Sequence, residues 1–566
     1  MKKRNVKTKK DTTDRISELP ECIIENILLR LDHPKERVRV SVLSKKWFDL
    51  TASLPVLEFS SSDFWKNCGR LCSSDVRDSF YKYIEHTVSI FCRQQNVMNA
   101  HTFKVCTEYW STIAELKIIN ACLELILQKG VKALEIMIQG STYRLPDILT
   151  SASSLTSLKV YHCMLPSSLM VEVANFKSLK VLQLNNVHLD PLVIKHLTAS
   201  CPLLEELIVK FCYGLKKFCV YGQLQNLKKA HFFSKGEFER IDIETPNLCE
   251  FQLCVGYGKG RGATSVNLGL CKQLRTLCLC GSFFPTSTGL SDFLSNFPIL
   301  ENLCLANPCN SLAISSPSLR KFVLYDKCDL EDLDLITPNM LLFRYANAWN
   351  SNSEEIIKFD SSESNARMEC HIENDVDTLW FQKLRRFLEK SDRFKVLNLH
   401  DHRFGKISLD FEQPKVIQLP PYELEHVNLE WSDRYYEWST VVDAILWCFH
   451  PRSLSLTSNF SSISYWKRSQ ILKFISAKLL QQEDKGQTNI RIEWSFPSKA
   501  KIYFSWKSMR PELRYHNEQT LTFIKEEGLN SCQVEERKET VKGLQLLRLC
   551  DPLNREILRY TTMEVI

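Results

Sequence analysis

The sequence has no run of 18 or more apolar residues. A bilayer-spanning helix needs about 20, so no segment is expected to cross a membrane. The amino-terminal stretch is charged and the first apolar run is amphipathic, so a secretory signal is not expected. The 22 cysteines are accordingly expected to be free thiols in a reducing compartment. Charge of one sign is also in short supply. A net charge of +7 falls below the concentrated basic field of a nucleic-acid binder, and nucleic acid is not an expected partner. The nucleophile–base signatures of hydrolases are missing as well. Cys-rich runs such as Leu277-Cys278-Leu279-Cys280 have no evident base beside them, which argues against a catalytic cysteine and for a non-catalytic protein.

Two segments approach a chemical motif and stop short. Gly256-Tyr257-Gly258-Lys259-Gly260-Arg261-Gly262 is glycine-rich and cationic, so its amides could cradle a phosphate. It lacks the Gly-Lys-Ser/Thr of a P-loop and the GxGxxG form, and a loop between structural units is the other reading. His400-x-His402 with Asp401 offers metal ligands, but no second cluster at zinc spacing stands near it. It reads as a strand end, and no metal ligands are assigned.

Residues 14–53 carry the densest pattern. Leu19-Pro20 opens a helix, because proline at a first turn lacks an N–H that the helix would leave unpaired anyway. Ile23, Ile24, Ile27, Leu28 and Leu31 then recur at helical spacing, and Asp32-His33-Pro34 stops the run. A second run, Val38, Val42 and Leu43, leads through Ser44-Lys45-Lys46 to Trp47, with Leu50 one turn on. Two or three small helices carry more apolar surface than so few residues can bury. Part of that surface is expected to meet a partner.

This pattern resembles the F-box. Its order of Leu-Pro, paired aliphatics, a closing Leu, then Val-Arg-x-Ser-x-Leu-Ser-Lys-x-Trp is present as Leu19-Pro20, Ile23-Ile24, Ile27-Leu28, Leu31, Val38-Arg39, Ser41, Leu43-Ser44-Lys45 and Trp47. Phe48-Asp49-Leu50-Thr51 departs from the Arg-x-Leu-Trp that often follows. The resemblance implies a three-helix module that binds the SKP-type adaptor of a cullin-based ubiquitin ligase. It implies Leu19, Pro20, Ile23, Ile24, Ile27, Leu28, Leu31, Val38, Leu43 and Trp47 as the adaptor-binding residues.

The rest of the chain is periodic. Residues 1–13 form a basic tail expected to be disordered, and it reads either as a nuclear-import signal or as a solvated tail. Residues 54–130 form a transition segment that reads as strand, helix, strand, helix, the last helix spanning Ala121 to Lys129 and ended by Gly130. Residues 131–345 then repeat. Leu155-x-x-Leu158-x-Val160-x-x-Cys163, Leu179-x-x-Leu182-x-Leu184 and Leu204-x-x-Leu207-x-Val209-x-x-Cys212 superpose, and Leu134, Leu158, Leu182 and Leu207 lie 24, 24 and 25 apart. That is the period of leucine-rich repeats. Cores at Leu227, Leu248, Leu274, Leu300, Leu319 and Leu330 continue the template. Each unit is one strand plus a returning segment, with Pro191 to Ala199 and Gly289 to Asn296 returning as short helices, and only stacking of neighbours creates a core.

Residues 346–393 read as an insertion in which the repeat lapses, with a loop from Asn347 to Asn365 and an amphipathic helix from Asp377 to Lys390. Residues 394–456 restore the pattern, 457–530 are expected to cap it, and 531–566 form a charged tail or helix with no assigned role.

The layout looks like the plant F-box/leucine-rich-repeat proteins. It implies an α/β fold: an F-box followed by a curved leucine-rich-repeat solenoid with a parallel sheet on its inner face. The implied function is that of a substrate-recognition subunit of a SKP–cullin–F-box E3 ubiquitin ligase. The box would bind the adaptor and, through it, cullin, and the repeats would hold a target protein. Strand positions between the template leucines are expected to face outward from the core, Lys159, Tyr161, Gln183, Asn185, Ile208, Lys210, Val323 and Tyr325, and of these Lys159, Tyr161, Gln183, Asn185, Lys210 and Tyr325 are the candidate target-binding residues. No cofactor is expected, except that hormone-receptor F-box proteins hold an inositol phosphate inside the horseshoe, which leaves that ligand open. The alternatives are an F-box scaffold outside a ligase and a ligand-sensing repeat receptor with a vestigial box. The expected location is nuclear, cytoplasmic or both.

Overall fold

The computed structural model describes residues 19–526 apart from 32–35, 37–38, 41–42, 53–55, 69–73, 94–100, 109–110, 140–142, 171–173, 222–223, 235–237, 256–263, 282, 285, 307–311, 326–332, 347–365, 373–375, 402–406, 409–420, 432–437, 459–464, 483–488, 496–500 and 506–518. The basic tail, Val38, the glycine-rich stretch from Gly256, the Asn347 to Asn365 loop, His402 and residues 531–566 therefore lie outside the described residues. The chain forms two compact units, Met1–Leu274 and Arg275–Ile566.

The first unit begins with helices Glu21–Leu29 and Lys45–Ala52. A parallel sheet follows, built from Val56–Ser60, Thr102–Thr107, Ala133–Ile138, Ser157–Tyr161, Val181–Asn185, Glu206–Lys210, Lys229–Ser234 and Glu250–Val255, each paired with the next in chain order. The register sets Phe103, Leu134, Leu158, Leu182, Leu207, Ala230 and Phe251 side by side in one buried row. Val105, Ile136, Val160, Leu184, Val209, Phe232 and Leu253 make the row beside it. These are the template positions, aligned across strands because side chains two apart share a face.

At the exits of three strands the chain turns on a left-handed residue: His162, Asn186 and Phe211 have φ of 58°, 52° and 50°. Each donates its N–H to a carbonyl of the neighbouring strand, at Asn185, Lys210 and Phe233 respectively, so the ladder extends through the turn. Cys212 sits just beyond, buried, with Sγ 3.5 Å from the Leu184 carbonyl of the preceding repeat. The thiol takes the place of the small polar group that a repeat turn needs.

Helix Ile113–Gln128 starts a full two turns before the expected Ala121. A capping box sets the start: the Thr112 hydroxyl accepts from Glu115 N, and the Glu115 carboxylate accepts from Thr112 N. Such a box satisfies two donors that the helix leaves open. Glu115 also pairs with Arg77 at 3.0 Å, tying this helix to Ser74–Arg93. At the other end Gly130 takes φ 74°, the conformation that lets a glycine stop a helix.

The returning segments are not all helical. Pro191–Ser200 is a helix with Asp190 as its cap, but Lys217–Tyr221, Arg240–Glu244 and Ser265–Asn267 form a second, three-stranded parallel sheet. Phe218, Val220, Ile241 and Ile243 alternate inward there, a period of two that a helix cannot use.

The second unit repeats the plan. Thr276–Cys280, Asn302–Ala306, Lys321–Tyr325, Leu342–Ala346, Arg367–Ile372, Val396–Asp401, Tyr422–Trp431 and Phe449–Ser458 are parallel in sequence order. Two expectations are corrected here. The repeat does not lapse across 346–393, because Arg367–Ile372 continues the ladder with Met368 and Cys370 in the leucine places. The segment from Leu330 is not a main-sheet unit: Leu333–Ile336 pairs with Leu312–Ser315 in a separate two-stranded sheet. Helix Thr378–Ser391 buries Phe381, Leu384, Phe387 and Leu388, with Phe387 5.3 Å from the Phe343 ring. Beyond Phe449–Ser458 the direction reverses. Gln519–Glu526 runs antiparallel between that strand and Asn489–Ser495, which pairs with Lys501–Ser505.

Truncating a ladder leucine removes packed methyls and leaves a cavity, whereas trimming the half-buried side chain beside it does not. Leu182→Ala is expected to cost about 3 kcal/mol and Gln183→Ala within about 0.5 kcal/mol, read as the shift in the urea midpoint of the first unit's unfolding transition.

Candidate functional site

The helix Glu21–Leu29 has no side-chain cap; Pro20 precedes it with ψ 144°, and its carbonyl takes the first N–H groups, from Ile23 and Ile24. The apolar stripe on this helix is two residues wide. Ile24 and Leu28 lie on one edge and are fully buried, packed with Trp47 and Leu50 of the next helix and flanked by Leu19, Leu31 and Val40. Ile23 and Ile27 lie on the other edge, 43% and 38% exposed, and Leu43 is 58% exposed. Pro20 is exposed too. The two helices are held together by more than apolar contact. Lys46 Nζ donates to the Leu19 carbonyl at 2.8 Å, and Ser44 Oγ accepts from Trp47 N at 3.3 Å as the second helix begins.

Of the residues expected to bind an adaptor, the structure therefore places Ile24, Leu28 and Trp47 in the module's own core and Pro20, Ile23, Ile27 and Leu43 on its surface. Leu19 and Leu31 are partly buried against that core. Val38 lies outside the described residues.

The strand face away from the leucine rows is the second candidate surface, and it changes character along the sheet. In the first unit Lys104, Glu135, Lys159 and Gln183 stand in register. Lys104 pairs with Glu135 at 2.8 Å and Lys159 approaches it at 3.9 Å, all partly exposed. Tyr161 is half-buried beside them. The row then closes over: Ile208, His231 and Gln252, next in register, are buried. Four of the positions expected to face outward from the core lie on that face but are covered, a correction to their being open to a target: Asn185, Ile208, Lys210 and Val323 are buried. Side chains on this face pack on each other across the strands, as where Lys210 Nζ lies 4.9 Å from the Phe233 ring centroid. His231, fully buried, bonds Glu250 at 2.7 Å. Burial would raise the Glu250 carboxyl, but His231 and Lys229 outweigh it and hold the group below its ordinary value.

In the second unit the same face begins apolar, with Cys278, Cys304 and Val323 in register, and turns polar at Arg344 and Glu369. Tyr325 is half-buried, and burial pushes its phenol well above the usual value. Glu369 is buried and takes Arg344 Nε and Arg367 Nη2 at 2.7 Å each. Burial alone would raise its carboxyl; Arg344 and Arg367 outweigh that and hold it below the usual carboxylate range. His371, His400 and Glu430 stand in the next row. Of these six only His400 stands out in the sequence, as a possible metal ligand read as a strand end. The signal was the x positions of the Phe343-x-Tyr345 and Met368-x-Cys370 runs, readable only once Arg367–Ile372 is taken as a strand.

Comparison with known proteins matches two segments of the chain to families. Residues 16–59 match the F-box domain. Residues 119–281 match the repeats described as FBD-associated F-box protein At5g56370, LRR repeats. The chain joins an F-box to leucine-rich repeats. Similar curated proteins come from Arabidopsis thaliana. The putative F-box/LRR-repeat protein At5g54820 is 26% identical over 260 residues, 42% of this chain and 51% of that protein. The F-box/FBD/LRR-repeat protein At1g13570 is 29% identical over 239 residues, 42% of this chain and 53% of that protein. The chain spans about half the length of the curated relatives it matches.

The F-box match ends at residue 59, so it takes in strand Val56–Ser60, whose Leu57 and Phe59 are buried at the start of the parallel sheet. The repeat match ends at residue 281, while the parallel ladder of the second unit continues to Phe449–Ser458.

A carboxyl held down in the folded state adds stability above its unfolded value of about 4.3 and loses it as pH falls through the folded value. Glu369→Gln is expected to cost on the order of 2–3 kcal/mol at pH 7. That is less than the about 3–5 kcal/mol of a fully buried pair, since both guanidiniums keep partial access to water. The gap between wild type and variant, read from urea midpoints at pH 7, 5, 4 and 3, should hold to about pH 5 and close below pH 4.

Proposed function

We propose that this protein is a non-catalytic substrate-recognition subunit of a SKP–cullin–F-box ubiquitin ligase. The exposed strip of Pro20, Ile23, Ile27 and Leu43 docks on the SKP-type adaptor, which links it to cullin, and the repeats hold the target protein. The observation that carries this reading is the division of labour in the Glu21–Leu29 helix. Ile24 and Leu28 close the module's core with Trp47, so Ile23 and Ile27 are not needed for folding and stay in water. Apolar side chains at helical spacing, next to a core that is already complete, fit the demand of a partner surface.

In this reading the parallel strands of each unit are successive coils of a leucine-rich-repeat solenoid. The target meets the accessible stretch of the strand face, with Lys159, Tyr161 and Gln183 in the first unit and Tyr325 at the margin of the polar stretch in the second. Asn185 and Lys210 lie covered on the same face and pack against its neighbouring side chains. A protein of this kind works in the nucleus, the cytoplasm or both. A phosphate ligand such as an inositol phosphate would call on the cationic glycine-rich stretch at 256–262, which lies outside the described residues.

The test is capture of the adaptor by the full-length protein carrying Ile23→Asp and Ile27→Asp. Both sites are on the surface, so circular dichroism and the thermal midpoint should match wild type. Adaptor binding should fall at least 30-fold, the effect of losing about 2 kcal/mol at a central anchor. Cullin should co-purify with wild type alone. Undiminished adaptor binding by the folded double variant would refute the proposed docking strip, and adaptor capture without cullin would favour the scaffold reading.

A further inference from the structure

The polar end of the second unit's strand face holds a set of side chains that neither the F-box nor the target-binding reading uses. His371, on Arg367–Ile372, His400, on Val396–Asp401, and Glu430, on Tyr422–Trp431, are neighbours in register across three adjacent parallel strands. Strands in a sheet lie about 4.8 Å apart. That spacing brings the His371 and His400 rings into a stack with centroids 4.5 Å apart and planes 14° from parallel. Glu369, two residues before His371, points from the same face. One ring nitrogen of each histidine and a carboxylate oxygen of Glu369 all lie within 4.8 Å of one another.

The protonation pattern can be worked out from the contacts. His400 Nδ1 lies 2.5 Å from Glu430 Oε2, and an ionised carboxylate only accepts. The proton is therefore on Nδ1, and in the neutral ring Nε2 carries the lone pair. That Nε2 is buried and has no hydrogen-bond partner among the described residues. A buried acceptor left without a donor costs free energy. An imidazole whose far nitrogen is fixed by a carboxylate is how metal-binding histidines are oriented.

We infer that His371, His400 and Glu369 form a binding site for a borderline divalent transition cation such as Zn2+, with Glu430 as the positioning residue that aims His400. Two imidazoles and one carboxylate suit this class, whereas Mg2+ and Ca2+ call for all-oxygen shells. Three protein ligands leave a coordination position open. Each Glu369 oxygen that accepts from a guanidinium keeps a second lone pair for a cation. The proposed partner of His400 is thus the histidine in register on the neighbouring strand.

Calorimetric titration of Zn2+ into the full-length reduced protein tests this, because the difference between wild type and variants cancels whatever the thiols bind. His371→Gln and His400→Gln, each checked for unchanged circular dichroism, should bind one equivalent fewer than wild type. Glu430→Gln should keep the equivalent but bind it about 10- to 100-fold more weakly. The Co2+ difference spectrum, wild type minus His400→Gln, should show visible ligand-field bands without thiolate charge-transfer absorption. Equal stoichiometry and affinity in wild type and both folded histidine variants would overturn the site. So would a difference spectrum dominated by thiolate, or an equivalent taken up as readily from Mg2+ as from Zn2+.

Discussion

The structure depends on one constraint, the parallel backbone ladder that holds each strand in register with the next. A shift of one residue would turn every leucine of a strand to the opposite face, and no single repeat has enough apolar surface to resist that alone. The register is secured at the turns, where His162, Asn186 and Phe211 extend the hydrogen bonding past the strand ends, and at positions such as Cys212, whose thiol reaches a carbonyl of the preceding repeat. The leucine rows follow from this ladder, and so does everything on the opposite face. Once the leucines point inward, the residues between them are lined up in rows as well, whatever their chemistry.

Those second rows explain why the repeat surface is uneven. In the first unit the row runs from the Lys104, Glu135 and Lys159 group to buried Ile208 and His231. In the second it runs from buried cysteines to the Arg344, Glu369 and Arg367 group. Charged groups stand partly open to water at Lys104, Glu135 and Lys159 and are covered at Glu369 and Lys210, while Ile208, Cys278, Cys304 and Val323 fill other covered stretches. Specific chemistry is thus confined to a few short stretches of an otherwise uniform sheet. The F-box solves a similar problem on a smaller scale: one helix uses adjacent edges of the same apolar stripe for two purposes, one for folding and one left in solvent.

Much of this could be read from the residues. The spacing of Leu134, Leu158, Leu182 and Leu207 alone puts them at equivalent places of one repeat, and Pro191 and Gly130 mark helix ends that the structure keeps. The misses have physical causes. Arg367–Ile372 went unseen as a strand because methionine and cysteine fill the places where leucine was sought, and burial in a ladder asks only for apolar volume. The returning strands at Lys217 and Arg240 were obscured because a five-residue alternation is weak beside the strong signal of the flanking repeats. Position within the repeat puts Lys210 and Asn185 on the outer face, but their burial depends on Phe233 and the next strand, more than 20 residues on. The division of the F-box stripe is a matter of which edge meets Trp47, and helical spacing alone is blind to that.

The reversal at the end of the second unit bears on how the protein is made. Parallel strands can be laid down one after another as the chain leaves the ribosome, each on the strand before it. Gln519–Glu526 breaks that order, since it lies between Phe449–Ser458 and Asn489–Ser495 although it is synthesised after both. Among the described strands, the hairpin of Asn489–Ser495 and Lys501–Ser505 joins the parallel sheet only through that later segment. Growth of this unit is therefore directional up to Phe449–Ser458 and then must wait, with an open sheet edge, for its closing strand to be translated.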